Sequence, residues 1–242
     1  LIAYSVSSTA RGDKKRVTKL AMNFSPIYCD NHLLVVHKEP GVVVQGAPAG
    51  EESLFEQAKA WIKQEYDKPG NVYLGMVHRL DRPVSGVIVF ARTSKSARRL
   101  SEQFRAHRVE KAYLAVVEGK MKGPKQLCHW LLRQQGWPAV VPPSTKGAQK
   151  ATLSYSVTKE QANLTEISIK LGTGRKHQIR LQLSSEGHPI VGDKRYGAKT
   201  KMLGQKNAIA LMAHRLVLDH PTKGERMTFQ ADPPPWWPLL DR

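Results

Sequence analysis

The sequence contains little cysteine and none of the common metal-binding spacings. Among its 242 residues only Cys29 and Cys128 are cysteines, too few for a disulfide framework and compatible with a reducing compartment such as the cytoplasm. The two do not form a CxxC pair, and the nine histidines show no HExxH spacing, so we expect no metal site. Gly172-Thr-Gly174 lacks the third glycine of a dinucleotide-binding motif, so we expect no nucleotide cofactor.

Long apolar runs and acidic residues are also scarce. No stretch approaches the roughly 20 apolar residues that a membrane-spanning helix needs. Acidic residues number 20 against 38 lysines and arginines, which gives a formal net charge of +18 at pH 7. Such an excess favours a polyanionic partner, most simply a nucleic acid, because binding releases the counterions of the polyanion. An anionic membrane surface is the alternative that charge alone leaves open.

The apolar residues that are present favour an α+β fold. They make up 40% of the chain, enough to bury a substantial core. Short strand-like runs outnumber helical patterns, so we expect a largely antiparallel mixed β-sheet with flanking helices. Helices are predicted at residues 51–68, 94–108 and 176–185 from the spacing of their apolar residues. Residues 42–44 are predicted to form a short strand, and the Pro- and Gly-bearing residues 136–149 a surface loop.

Residues 78–86, His-Arg-Leu-Asp-Arg-Pro-Val-Ser-Gly, separate two apolar segments that are predicted to be strands. A loop held between buried strands is a suitable place for chemistry. Within it Asp81 lies between Arg79 and Arg82, so its carboxylate is expected to stay ionised. On this pattern alone, however, a turn or capping role for such an aspartate is more common than a role as nucleophile.

The same nine residues resemble the catalytic motif of the RluA-type pseudouridine synthases, which isomerise uridine in RNA to its carbon-linked form. Further segments resemble other motifs of the family, in the family's order: Lys38-Glu-Pro40-Gly41, Lys111-Ala-Tyr113-Leu-Ala115, Thr173-Gly-Arg175-Lys-His177-Gln-Ile179-Arg180 and His188-Pro-Ile-Val-Gly192-Asp193. The resemblance covers about residues 22–237. It implies the pseudouridine synthase fold with a central RNA-binding cleft, and isomerisation of specific uridines in ribosomal or transfer RNA without a cofactor.

The resemblance also implies roles for individual residues. Asp81 would attack the ribose anomeric carbon or, in the competing scheme, remove the carbon 2′ proton to give a glycal. Arg175 would pair with Asp81, and Tyr113 would stack on the target base and later help to remove the carbon 5 proton. Arg79 would fill the space left by the flipped uridine, and Ile179 would line the base pocket. The remaining motif residues, expected to support the site or to face RNA, are His78, Arg82, His177 and Arg180.

The chain is expected to consist of a basic arm at residues 1–24 and a pseudouridine synthase catalytic domain at residues 25–242. The arm is too short for the S4-type RNA-binding domain that many relatives carry, so the resemblance is to a stand-alone catalytic domain. We expect a cytoplasmic monomer without an obligate protein partner. The second helix has a basic outer face that serves either solubility or RNA contact: Lys95, Arg98, Arg99, Arg105 and Arg108.

Two other functions are weighed against this one. A retaining glycosidase also attacks an anomeric carbon with a carboxylate, but it needs a second carboxyl group nearby, and the other motif turns offer no comparable residue. A non-catalytic RNA-binding module would suit the charge. Such modules ordinarily display clustered aromatic residues for stacking, whereas aromatic residues make up only 7% of this chain.

Overall fold

The computed structural model describes residues 22–134, 137–202 and 204–239. In these ranges one large sheet carries three α-helices, which confirms the α+β class and the mixed sheet. The predicted basic arm at residues 1–24 lies almost wholly outside the described residues. The strands are β1 Phe24–Cys29, β2 Leu33–Lys38, β3 Gly75–Met76, β4 Ser85–Ala91, β5 Glu110–Glu118, β6 Lys125–Arg133, β7 Pro138–Val141, β8 Gln149–Gln161, β9 Leu164–Leu171, β10 Leu211–Asp219 and β11 Arg226–Gln230. The helices are α1 Leu54–Glu65, α2 Ser94–Arg105 and α3 Gln178–Ser185, followed by a 3-10 turn at Lys194–Tyr196.

The sheet consists of two halves, β1 to β4 and β5 to β11, which meet beside residues 78–86 where β4 pairs with β10. The order is β1-β2-β4-β10-β5-β9-β8-β6-β7, with β3 beside β4 and β11 beside β10. Neighbouring strands are antiparallel except β4 and β10, which pair in parallel at Ser85 with Met212 and at Gly86 with Ala213. The end of the predicted catalytic loop is therefore fixed at the junction of the two halves.

Strand β4 explains why the sequence after the loop is continuously apolar. All seven of its residues are buried. Ile88 and Phe90 belong to the larger hydrophobic core, while Val87 and Val89 belong to a second core on the other face of the sheet. A strand covered on both faces shows no alternation of polar and apolar residues.

The helices begin and end at identifiable caps. Ser53 and Thr93 accept hydrogen bonds from backbone N–H groups in the first turns of α1 and α2, so α1 begins at residue 54 rather than at the predicted 51. Helix α2 ends at Arg105 rather than at 108, because His107 adopts a left-handed conformation with φ 54°.

Two predicted elements near the site are wrong. Residues 42–44 form no strand, because the carbonyls of Val43 and Val44 accept hydrogen bonds from Leu54 and Phe55 at the start of α1. The predicted loop at residues 136–149 contains strand β7, which pairs with β6 as a hairpin.

Helix α3 begins two residues later than predicted. His177 precedes it in a left-handed conformation with φ 54°, so residues 176 and 177 belong to the turn that enters the helix. In the last described segment Trp237 is buried in the main core and donates a hydrogen bond from Nε1 to Glu166.

Candidate active site

All the sequence-predicted site residues line one cleft of about 1340 Å³. The cleft lies between the loop at residues 78–84, the start of β5, and the turn that leads into α3. The structure therefore brings together motifs that are far apart in the sequence. The predicted residues in its wall are His78, Arg79, Asp81, Arg82, Tyr113, Arg175, His177, Ile179 and Arg180.

Gly86 determines how the loop that carries Asp81 enters the sheet. Its φ is +113°, and a Cβ atom at this position would overlap the backbone of Ala213 on β10. Only glycine tolerates both the conformation and the close approach. The glycine that ends the motif is thus required by the junction between β4 and β10.

Lys38, at the end of β2, binds the same loop through hydrogen bonds to backbone carbonyls. Its side chain is fully buried, and its Nζ donates hydrogen bonds to the carbonyls of Glu39, Val42 and Arg82 at 2.9, 2.9 and 3.1 Å. Burial lowers the pKa of Lys38 to about 7, and the nearby charge of Asp81 opposes that effect. In the sequence Lys38 is notable only as part of a motif, although a lysine at the end of an apolar strand can indicate a buried side chain that binds a nearby loop.

Arg82 is engaged by the protein rather than presented to a ligand. Its Nε donates to the carbonyl of Gly41 at 2.8 Å, and its Nη2 lies 3.0 and 2.9 Å from the two carboxylate oxygens of Glu51. These contacts connect the Asp81 loop to the segment before α1, so Arg82 supports the site, and since it also lines the cleft, its contact with RNA stays a prediction.

Asp81 is ion-paired with Arg180, and Arg180 is held in turn by Asp193. Nη1 of Arg180 lies 3.2 Å from Oδ2 of Asp81, while its Nε and Nη2 donate to both oxygens of Asp193 at 2.7 and 2.8 Å. Arg180 and Asp193 are 4% and 2% exposed. Burial by itself would lower the pKa of Arg180, but the hydrogen bonds and charges of Asp193 and Asp81 raise it. The guanidinium is therefore charged and fixed in place.

The predicted pair between Asp81 and Arg175 is wrong. Arg175 is exposed, and its Nε lies 3.4 Å from the carbonyl of Lys150. Gln178 shapes this turn by accepting a hydrogen bond from the backbone N–H of Arg175 and donating one to the carbonyl of Thr152. The helix therefore carries Arg180, rather than the turn residue Arg175, to the carboxylate.

His177 is the second side chain that faces Asp81. Its Nε2 lies 3.6 Å from Oδ2 of Asp81, and its Nδ1 is 2.7 Å from the hydroxyl of Tyr196. Burial lowers the pKa of His177, an effect that Asp81 opposes. When the tyrosine hydroxyl donates to Nδ1, the proton of the neutral ring lies on Nε2 and points toward the carboxylate.

The two oxygens of the Asp81 carboxylate differ in their contacts. Both Arg180 and His177 approach Oδ2, and within the described ranges no hydrogen bond or ion pair is made to Oδ1. One oxygen of the carboxylate is thus anchored and the other is available to a ligand.

Tyr113 and His78 line the cleft beside Asp81 in different ways. Burial, and secondly the charge of Asp81, raise the pKa of Tyr113, so its phenol stays protonated while Asp81 is ionised. His78 stacks on Phe104 with ring centroids 4.8 Å apart and accepts a hydrogen bond from the backbone of Val89. Burial lowers the pKa of His78 to about 3, with a smaller effect of Lys111. His78 therefore supports the loop as a neutral ring.

Arg79 and Ile179 both line the cleft, but Arg79 is exposed whereas Ile179 is buried. Arg79 is exposed, and its side chain makes no hydrogen bond or ion pair with any described residue. Ile179 is 5% exposed and belongs to the main core. The first can move to meet a ligand, whereas the second is a fixed apolar surface.

Neither a metal cluster nor a membrane-spanning helix is found in the part of the chain that the structure describes. No three histidine, cysteine, aspartate or glutamate side chains there are grouped so as to bind a metal ion. No helix there combines the length and the apolar character needed to cross a bilayer.

The fold and the site together are typical of an enzyme. A strongly basic α+β protein carries a cleft in which an arginine holds one carboxylate. A family model described as RNA pseudouridylate synthase matches residues 32–185. The chain therefore belongs to the RNA pseudouridylate synthase family, whose members are isomerases acting on uridines of RNA.

Individual relatives agree with this assignment. The chain is 32% identical over 213 residues to the dual-specificity RNA pseudouridine synthase RluA of Haemophilus influenzae, covering 85% of this chain and 91% of that protein. It is 31% identical over 246 residues to tRNA pseudouridine synthase C of Haemophilus ducreyi, covering 90% of this chain and 95% of that one. The solved structure of human RNA pseudouridylate synthase domain containing 4 matches its fold with a TM-score of 0.73, at 24% identity, over 88% of this chain and 89% of the human chain.

Proposed function

We propose that this protein converts specific uridines of ribosomal or transfer RNA to pseudouridine, with Asp81 as the nucleophile and the target base flipped into the cleft. The observation that carries the proposal is the asymmetry of the Asp81 carboxylate. Oδ2 is anchored by Arg180, whereas Oδ1 has no hydrogen-bond or ion-pair partner among the described residues, and Asp81 lines the cleft. A carboxylate held in this way is aimed before the substrate arrives.

In the first step Oδ1 of Asp81 attacks carbon 1′ of the ribose, and the bond from carbon 1′ to nitrogen 1 breaks. The uracil leaves with the electron pair of that bond and turns in the cleft. Its carbon 5 then attacks carbon 1′ and displaces Asp81, carbon 5 loses its proton, and nitrogen 1 gains one. Atoms and charge balance without an oxidant, a reductant or an energy donor. The competing glycal scheme uses the same carboxylate to remove the carbon 2′ proton.

Tyr113 is suited to the late proton transfer because it lines the cleft beside Asp81. Burial and the charge of Asp81 raise the pKa of Tyr113, so its phenol keeps its proton while the carboxylate is free. After carbon 5 has displaced Asp81, the phenol oxygen therefore accepts the carbon 5 proton only in a hydrogen-bonded relay, by orienting a water that removes it.

Arg79 is the side chain proposed to replace the flipped uridine in its stack. A flat guanidinium can stack between bases and hydrogen-bond at its edges. Its exposure and its lack of partners in the described structure leave it free to move toward the RNA. Ile179 would give the target base an apolar wall.

We further propose that one copy of the chain is sufficient and that it acts in the cytoplasm. Cys29 and Cys128 are both free thiols in the structure, which is compatible with a reducing compartment. The name of one relative points to transfer RNA and that of another to dual specificity, so ribosomal and transfer RNA are both candidate substrates.

The glycosidase alternative loses support from Asp193. This is the other carboxylate near Asp81, but both of its oxygens are hydrogen-bonded to Arg180 in a buried pair. It is therefore not available as the second catalytic acid that a retaining glycosidase needs.

Incubation of ribosomal RNA and transfer RNA transcripts with the protein, followed by pseudouridine-specific chemical mapping, tests the proposed substrate class. With the unmutated protein we expect pseudouridine at one or a few uridines of one RNA class, and with Asp81→Asn we expect none. Tight binding of both proteins to RNA without pseudouridine in either class would support the non-catalytic RNA-binding module instead.

A further inference from the structure

An exposed tryptophan at the rim of the cleft takes no part in the chemistry described above. Trp137 lies just before β7 and is 45% exposed. The guanidinium carbon of Arg195 is 3.3 Å from the centre of its ring. At this separation the guanidinium must lie flat on the indole, because an edge-on approach would push its nitrogens into the ring. The two side chains thus form a stack.

Among the described residues, the positive charge of the stack, which lies on Arg195, has no acidic partner. Within the described residues Arg195 makes no hydrogen bond and no ion pair, and it is exposed. The nearest acidic side chain in the sequence, Asp193, has both oxygens bound to Arg180. Lys176, also exposed, places its Nζ 5.5 Å from the Trp137 ring. The outer face and the N–H groups of the Arg195 guanidinium are therefore available to an anionic, flat ligand.

His177 connects this stack to the reacting carboxylate. Its ring lies 5.4 Å from that of Trp137, tilted by 34°, and its Nε2 lies 3.6 Å from Oδ2 of Asp81. Trp137 and Arg195 also line the same cleft as Asp81. A nucleotide on the stack would consequently be a near neighbour of a uridine bound at Asp81.

We propose that Trp137 and Arg195 form a stacking platform for the base of a nucleotide that flanks the target uridine, with Lys176 meeting the RNA backbone. The order of the stack is base, guanidinium and indole. Single-stranded RNA is bound in this way, by aromatic rings and by flat arginine side chains next to cations. The inference rests on the function proposed above in taking RNA as the ligand of the cleft, and it adds a site that selects the sequence or shape next to the target.

Binding of two labelled probes tests the platform in the Asp81→Ala background, which prevents turnover. The probes are a short oligouridylate and an abasic ribose-phosphate chain of the same length, which carries the same charge but no bases. Trp137→Ala and Arg195→Lys should each weaken binding of the oligouridylate about tenfold, the size expected for the loss of one stacked base. Both should leave the abasic chain within about twofold, because Arg195→Lys keeps the charge and Trp137 carries none.

Tyr66→Ala is the matched control. Tyr66 is 42% exposed and carries Arg92 over its ring at 4.4 Å, but neither residue lines the cleft. This variant should bind both probes like the parent. Equal losses on the two probes, or no loss for Trp137→Ala, would overturn the platform.

A kinetic measurement separates this inference from the proposed function. With a modified RNA in hand, single abasic substitutions on either side of the target should raise the KM of the unmutated protein at one flanking position. The same substitution should have little further effect in Trp137→Ala. Modification with an unchanged KM in Trp137→Ala overturns the platform alone, whereas platform binding without any modification overturns the proposed function alone.

Discussion

At the scale of single residues, the site depends on the line of three charged groups formed by Asp81, Arg180 and Asp193. The fork of Arg180 serves both carboxylates at once: two nitrogens hold Asp193, and the third reaches Asp81. Only a planar guanidinium can satisfy this geometry. The buried aspartate thus orients the arginine, and the arginine orients the carboxylate proposed to react.

Replacement of Arg180 should therefore affect catalysis more than replacement of Arg175. Lysine at position 180 keeps the charge but cannot bond both carboxylates, so we expect kcat to fall about a hundredfold, as for other misplaced catalytic groups. Arg175→Lys is the control and should change kcat by no more than a few-fold. Steady-state kinetics with thermal melting of both variants checks this. A larger loss of kcat in Arg175→Lys would return Arg175 to the role first predicted for it.

His78 should make the protein sensitive to acid. Its pKa is lowered from 6.5 to about 3 in the folded protein, so between these values the unfolded chain binds a proton that the folded chain does not. The free energy of unfolding therefore decreases as the pH falls through this window, by up to about 1.4 kcal/mol per pH unit for one group.

Urea unfolding between pH 7 and pH 4 measures this dependence. His78→Asn, which does not titrate, should show a shallower loss of stability than the unmutated protein. His107→Asn is the matched control, since His107 is exposed and asparagine tolerates its left-handed φ of 54°. An identical pH dependence in His78→Asn and the unmutated protein would show that His78 is not kept neutral.

At the scale of secondary-structure elements, the junction of β4 and β10 determines where the Asp81 loop sits. The two strands pair in parallel at only two positions, one of which is Gly86, where no Cβ atom fits. A change there would displace the loop from both halves of the sheet.

Gly86→Ala should consequently destabilise the protein by about 3 kcal/mol or more, through overlap with Ala213 and the strained φ. Gly70→Ala is the control, because a Cβ atom at Gly70 meets open space, and its effect should be within about 0.5 kcal/mol. Chemical denaturation of both variants makes the comparison. A stable Gly86→Ala protein would mean that the junction can open without cost.

The elements that could be predicted from the sequence are those with a regular local pattern. The apolar spacing of α2 predicts its start at residue 94, where the structure has it. Residues 42–44 could not be predicted, because their β-branched side chains favour a strand while their carbonyls are taken by α1. The αL conformation of His177 shifts the start of α3, and sequence cannot reveal that shift. Arg180, which reaches Asp81, lies on this helix, whereas Arg175 lies in the turn before it.

At the scale of the whole molecule, part of the formal charge of +18 lies in the wall of the cleft. Exposed cations in its wall include Arg79, Arg105, Lys176 and Arg195, and Arg79 and Arg195 have no acidic partner among the described residues. Family membership identifies the polyanion as RNA. The charge excess that first suggested a nucleic acid thus has a location in the fold.

RNA binding should depend steeply on salt. With about 0.7 counterions released per phosphate contact on single strands, four such cations give a slope of log affinity against log salt of about −3 or steeper. Titrations at several potassium chloride concentrations measure it. Removal of two cleft cations by Arg79→Gln and Arg195→Gln should reduce the slope, whereas Lys68→Gln, outside the cleft, should not. A slope near zero would contradict a cleft whose cations bind the phosphates of RNA.

Tritium release from RNA labelled at uracil carbon 5, measured for the unmutated protein and for Asp81→Asn, tests directly whether Asp81 is the nucleophile of a uridine isomerisation. We expect release to water by the unmutated protein and none by Asp81→Asn, although both bind the RNA with similar affinity. Release by Asp81→Asn at the rate of the unmutated protein would contradict the role of Asp81 as the nucleophile.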